Sequence, residues 1–97
     1  MSTPTTELDP AVLEKLLPPY RVILHNDDVN TMDHVVTALR RSVPSLTAEE
    51  ATAIMLEAHH HGRAVVIECP KEAAEHYRAR LESFGLTATI EPAGSSG

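Results

Sequence analysis

The stretch Tyr20-Arg21-Val22-Ile23-Leu24-His25-Asn26-Asp27-Asp28 decides how the rest of the chain is parsed. Val22, Ile23 and Leu24 form an apolar, partly β-branched run that breaks abruptly at an amide and two carboxylates, the pattern of a short strand ending in a polar turn. Beyond the turn, Met32, Val35, Val36, Leu39 and Val43 recur at helical spacing. Asp33 stands in the first turn of that helix and Arg40 and Arg41 in the last, each sign of charge where the helix dipole favours it. The helix must end before Pro44, because the residue preceding a proline is pushed out of the helical region. Thr47-Ala48-Glu49-Glu50 is a capping box for a second helix, with Ala51, Ile54, Met55 and Ala58 on one face and Gly62 as its stop.

Working outward, Arg63 to Glu68 reads as a second strand. Pro70 opens a third helix carrying Ala74, Tyr77, Leu81 and Phe84 on one face, Gly85 ends it, and Leu86 to Glu91 alternates like a half-buried strand. The order is βααβαβ. A chain of 97 residues has too few helices to cover both faces of a sheet. The expected fold is therefore α+β, three helices packed on one face of a three-stranded, mostly antiparallel sheet whose other face is partly wet. The C-terminal domain of the ribosomal stalk protein has the same element order. The folded core is expected over residues 20–92. A flexible arm over 1–19 precedes it, with a short helical possibility from Asp9 to Leu17, and a loose tail over 93–97 follows.

Composition excludes several classes of function. Eight Lys and Arg against fourteen Asp and Glu give a net charge of -6 with no basic stripe, so a footprint for nucleic acid is missing. No run approaches the roughly 20 apolar residues a membrane span needs, and the start of the chain lacks a signal-peptide core. The single cysteine, Cys69, cannot form an internal disulfide, which fits a reducing compartment, and its expected role is that of a small, partly buried hydrophobe. These features predict a soluble protein of the cell interior.

The chemistry concentrates in Asn26, Asp27 and His59. An amide oxygen, a carboxylate and a neutral imidazole nitrogen can each accept one of the three hydrogens of an ammonium group, which suits the free amino terminus of a peptide. On pattern alone, Asn26-Asp27-Asp28 is more often a turn whose side chains bond local backbone, with Asp28 capping the helix near Met32, and Met32, Val35, Met55 and Ala58 are more often core positions. His59-His60-His61 does not read as a zinc site, because successive helical side chains diverge by about 100° and no Cys or acid stands at a ligand spacing. His59 shares a face with Met55, and His60 and His61 are expected in solvent or at the helix end. No serine or cysteine nucleophile has a base beside it, so neither enzymatic activity nor a cofactor is expected.

Val22-Ile23-Leu24-His25-Asn26-Asp27-Asp28 followed by Met32, and Met55-Leu56-Glu57-Ala58-His59 leading into Gly62-Arg63-Ala64-Val65-Val66, together resemble the ClpS adaptor family. The resemblance runs from Tyr20 to about Pro92. Asn30-Thr31-Met32, Glu57-Ala58-His59-His60 and the ending Gly85-Leu86 to Glu91-Pro92 are most similar to cyanobacterial and plastid members. It implies that Asn26, Asp27 and His59 hold a substrate's α-amino group. Asp28, Asn30, Thr31, Met32, Val35, Leu39, Met55 and Ala58 would then form the pocket for its first side chain. It implies a monomeric, non-enzymatic adaptor that recognises bulky hydrophobic N-terminal residues (Leu, Phe, Tyr, Trp) on N-degron-bearing proteins. Those substrates would be delivered to the N-terminal domain of a Clp AAA+ unfoldase of the ClpA or ClpC type, in the bacterial cytosol or a plastid stroma. Glu72 matches an acidic family position in the unfoldase contact, whereas a neighbouring basic position falls on Tyr77. The alternative is a generic protein-interaction module with no preference for a chain end.

Overall fold

The computed structural model describes residues 17–94, so most of the expected arm and the last three residues of the expected tail lie outside it. The elements are β1 (Tyr20–His25), α1 (Met32–Ser42), α2 (Ala48–His61), β2 (Arg63–Cys69), α3 (Lys71–Ser83) and β3 (Thr87–Pro92). β1 lies in the middle of a three-stranded sheet of order β2-β1-β3. Both pairings are antiparallel, so no parallel pair is present among the described residues.

Alternation along β1 divides the sheet's faces. Val22 and Leu24 join Ala38, Leu39, Val43, Ala51, Met55, Ala58, Ala74 and Leu81 in the core between sheet and helices. Fully burying a side chain such as Leu39 or Leu81 contributes about 1.5–3 kcal/mol each. A register shift places Val22 opposite Ile67 and Ile23 opposite Val65, leaving Val66 as an extra residue. This bulge lets Val66 and Ile67, consecutive in sequence, both pack on the helix side.

The opposite face is charged. Arg21 pairs with Glu68 at 3.3 Å and with Glu91 at 3.6 Å, Arg63 reaches Glu91 at 3.0 Å, and His25 shares a 2.7 Å hydrogen bond with Thr89. Ile23 is fully buried yet stands outside the helix-side core. The pairing of β1 with β3 continues past both strand ends, for the Ala93 N–H donates to the Pro19 carbonyl at 2.8 Å and Ala93 is buried. The β1–β3 pairing is thus extended by Pro19 and Ala93.

Helix termini follow the local signals. Thr47 and Glu50 make both bonds of the capping box, at 3.0 and 2.9 Å. Gly62 ends α2 in the left-handed conformation, φ 93°, which a side chain would disfavour. The cap of α1 is Thr31, whose hydroxyl accepts from the His34 N–H at 3.1 Å, and not Asp28. Position decides this, since the cap must directly precede the first helical turn for its oxygen to reach the third amide. Among the described residues no helix is long and apolar enough to cross a membrane.

Candidate functional site

β1 delivers its polar stop to the place where two helices end. The Asn26 N–H donates to the carbonyl of Gly62 at 3.0 Å, which roots the loop beside the last turn of α2 and brings Asn26 and His59 around one cavity. The Asp27 carboxylate then folds the loop on itself. Its Oδ1 accepts from the Val29 and Asn30 backbone amides at 2.8 and 2.9 Å, and its Oδ2 accepts from the Asn30 side-chain amide at 3.1 Å. The Asn30 side chain also donates to the Gly85 carbonyl at 3.0 Å. His34, one turn into α1, donates from Nε2 to the Phe84 carbonyl at 2.7 Å.

These bonds fix the charge of Asp27. The Asn30 backbone amide is the largest influence holding its carboxyl below the ordinary aspartate value of 3.8. Partial burial opposes this, and the Asn30 side chain, the Val29 amide and the nearby His34 add to the lowering. The loop thus keeps an anion in place at neutral pH, with Oδ2 carrying acceptor capacity beyond its one bond. Neither the Asn26 amide nor the His59 ring nitrogens have a hydrogen-bond partner among the described residues. The contact recorded for the His59 ring is edge-on with His60, at 5.2 Å between centroids.

The acceptors meet at a cavity of about 300 Å³, near the lower end of small-ligand pockets and suited to one large side chain. Its polar side consists of His25, Asn26, Asp27, Asp28, Asn30, Thr31 and His59, and its apolar side of Leu24, Met32, Val35, Met55 and Ala58. Met32 is 46% exposed at the mouth, whereas Met55 and Ala58 are buried. Flexible, polarizable thioethers at these positions accommodate more than one ligand shape.

Of the residues singled out in the sequence, all those around the expected ammonium site and pocket line this cavity except Leu39. Leu39 is fully buried in the core, one turn beyond Val35, where α1 has rotated its apolar stripe into the protein. Leu24 and His25 line the cavity but were not singled out. The signal for both is their position, the last two residues of β1 directly before its polar stop. Glu72 is exposed in the first turn of α3, and Tyr77 is half-buried against the core. Glu72 therefore lies at the end of α3 away from the Phe84–Gly85 turn that touches the site. Among the described residues, no three His, Cys, Asp or Glu side chains are grouped so as to hold a metal ion.

Comparison with known proteins gives a consistent result. The family model described as ATP-dependent Clp protease adaptor protein ClpS matches residues 15–89. The ATP-dependent Clp protease adapter protein ClpS of Synechococcus elongatus is 53% identical over 78 residues, covering 80% of this chain and 82% of the relative. The chloroplastic adapter CLPS1 of Arabidopsis thaliana is 44% identical over 89 residues, covering 92% of this chain and 56% of that one. Among solved structures, Agrobacterium tumefaciens ClpS2 bound to L-phenylalaninamide superposes with a TM-score of 0.73 at 28% identity, covering 77% of this chain and 96% of the other. With its βααβαβ fold, its Asn-Asp loop and its histidine-ended second helix, the chain belongs to the ClpS family of Clp protease adaptor proteins, a family of adaptors and not of enzymes.

Proposed function

We propose that this chain is an adaptor that captures proteins by a bulky hydrophobic N-terminal residue, Leu, Phe, Tyr or Trp, and delivers them to a Clp AAA+ unfoldase for degradation. The observation that carries this reading is the convergence of Asn26, Asp27 and His59 on the rim of an apolar, side-chain-sized cavity. An incoming ammonium supplies three donors, and the rim supplies two acceptors without partners among the described residues and one fixed anion with a lone pair to spare. The first side chain then enters between Met32, Val35, Met55 and Ala58, and Asp28 and Thr31 border its entrance. The bound L-phenylalaninamide of the Agrobacterium relative has this chemistry, a free α-amino group and an aromatic side chain on an uncharged carboxyl end.

Delivery requires a second surface. Exposed Glu72, on the far end of α3 from the cavity, is the candidate for contact with the N-terminal domain of a ClpA- or ClpC-type unfoldase, and the residues before Tyr20 are the candidate lead into its pore. The bacterial and chloroplastic origins of the relatives support a cytosolic or stromal setting, and the adaptor acts as a monomer. The test is a peptide series differing only in the first residue and in whether the amino terminus is free or acetylated. Tight binding of free Phe, Tyr, Trp and Leu termini, with acetylated or Val- and Ile-ended peptides rejected, supports the adaptor. Indifference to acetylation would instead indicate a general interaction module.

A further inference from the structure

We propose that Asn30 is a positioning residue of the ammonium site, and that through it the α3–β3 turn, Phe84-Gly85, forms part of the substrate-binding machinery. The proposal rests on the amino-terminus reading of the cavity.

A side-chain amide nitrogen has two hydrogens, and Asn30 commits both. One goes to the Asp27 carboxylate, 3.1 Å from Oδ2 and 3.3 Å from Oδ1, and the other to the Gly85 carbonyl at 3.0 Å. Asn30 is thus a bridge between an anion that must point into the cavity and a backbone oxygen 55 residues away in sequence. The far end of the bridge is rigid. Gly85 holds a left-handed φ of 86°, its N–H donates to the Glu82 carbonyl at 2.9 Å, and the flanking Phe84 and Leu86 pack on the core. A Cβ built at Gly85 would lie 3.8 Å from the Asn30 Oδ1, an ordinary contact, so the two are in close approach without crowding.

His34 clips the same turn independently. Its Nε2–H donates to the Phe84 carbonyl at 2.7 Å and its ring meets the Phe84 ring edge-on at 6.4 Å. Removing the Asn30 amide therefore leaves the turn attached while freeing Asp27 from one of its restraints. The two backbone amides that bind Asp27 Oδ1 preserve the turn of the loop, but neither fixes Oδ2, the oxygen the Asn30 amide orients. An acceptor misaimed by a fraction of an ångström forfeits much of a charged hydrogen bond.

The test uses the full chain with Asn30→Ala and the near-isosteric Asn30→Leu, which keeps the shape but cannot donate and adds no charge. Two measurements are made: affinity for a peptide with a free Phe amino terminus, and the titration of the Asp27 carboxyl by carbon NMR without peptide. Asn30→Ala should weaken binding roughly tenfold, with the Asp27 titration moving part of the way back up toward an ordinary aspartate, since the Asn30 backbone bond survives. Asn30→Leu should bind at least as poorly. In an Asp27→Ala background the Asn30→Ala change should cost almost nothing more, because the partner it positions is gone.

Wild-type affinity in Asn30→Leu, or equal losses from Asn30→Ala with and without Asp27, would overturn the positioning role while leaving the adaptor reading intact. Failure of the wild-type chain to distinguish free from acetylated termini would overturn the adaptor reading, and with it the substrate-binding role of the bridge. A general loosening of the fold would lower the melting temperature without the Asp27-dependent coupling, and that result also counts against the proposal.

Discussion

The loop from Asn26 to Thr31 and the outer face of the sheet are comparably polar, and they differ in what their polar groups have left over. On the sheet face, Arg21, Arg63, Glu68 and Glu91 are paired with one another and His25 with Thr89, so charge there is spent on neighbours. In the loop, the Asn26 amide and the His59 ring have no hydrogen-bond partner among the described residues, and Asp27 is an anchored anion with a spare lone pair beside an apolar cavity. The density of polar residues does not tell a site from a solvated face, whereas uncommitted acceptors at an apolar wall do.

The sharpest way to break this comparison is at Asp27. Asp27→Ala should reduce affinity for free-amino-terminus peptides by roughly ten- to a hundredfold, the equivalent of about 1.5–3 kcal/mol for a hydrogen bond to a charged group, and should also loosen the loop. Asp27→Asn keeps an oxygen for the Val29 and Asn30 backbone amides but loses the charge and replaces Oδ2, the acceptor of the Asn30 side chain, with a donor. Calorimetry on both variants separates anchoring from attraction, and equal binding by Asp27→Ala and wild type would remove Asp27 from the site.

The apolar wall gives the next effect. Ala58→Leu should fill the cavity and penalise Trp and Phe termini by about 1–3 kcal/mol, while Met32→Ala should widen the mouth and admit some Val or Ile termini, whose branched Cβ the wild type should reject. A fluorescence-anisotropy series across first residues checks both, and an unchanged ranking would mean that the side chain binds elsewhere.

Acidification probes the Asp27 anchor. Because the Asp27 carboxyl titrates below its unfolded value of 3.8, what it adds to stability is fully present above that value and is lost only as pH falls through the lower folded one. His59 is probed by substitution instead: His59→Ala removes one acceptor and leaves the Asp27 anchor in place, so at fixed neutral pH it should weaken binding of free-amino-terminus peptides, and unchanged affinity would exclude the imidazole. The smallest effect belongs to the sheet face, where Arg63→Ala should change stability by less than about 1 kcal/mol and leave peptide affinity untouched, since exposed ion pairs contribute little. A loss of affinity there would show that the two regions are coupled.

The elements themselves were legible because their boundaries rest on local chemistry: the capping box at Thr47 and Glu50, the left-handed Gly62, and the helical recurrence from Met32 to Val43. The grouping of Asn26 with His59 was legible only through the ordered motifs, because no local rule brings residues 33 positions apart together. Other features were hidden for definite reasons. Leu39 shares the period of Val35, and periodicity cannot say which turn of a helix reaches a cavity and which the core. The Asn30–Gly85 and His34–Phe84 contacts join a loop and a helix to a distant turn through backbone carbonyls, groups that every residue carries and no sequence marks. The bulge at Val66 was invisible because two consecutive core-facing valine and isoleucine side chains break the alternation that reveals strands.

That bulge has a consequence for how the protein behaves among other chains. β2 is an edge strand with an apolar middle and a 46% exposed Val65, the kind of border on which an extended polypeptide can add itself as another strand. A straight border would offer a regular row of backbone groups to any partly unfolded protein brought nearby. The extra residue at Val66 twists that row out of register, and Arg63 and Glu68 place a charge near either end of it. The strand can thus pair with β1 on one side while presenting a poor template to other polypeptides on the other.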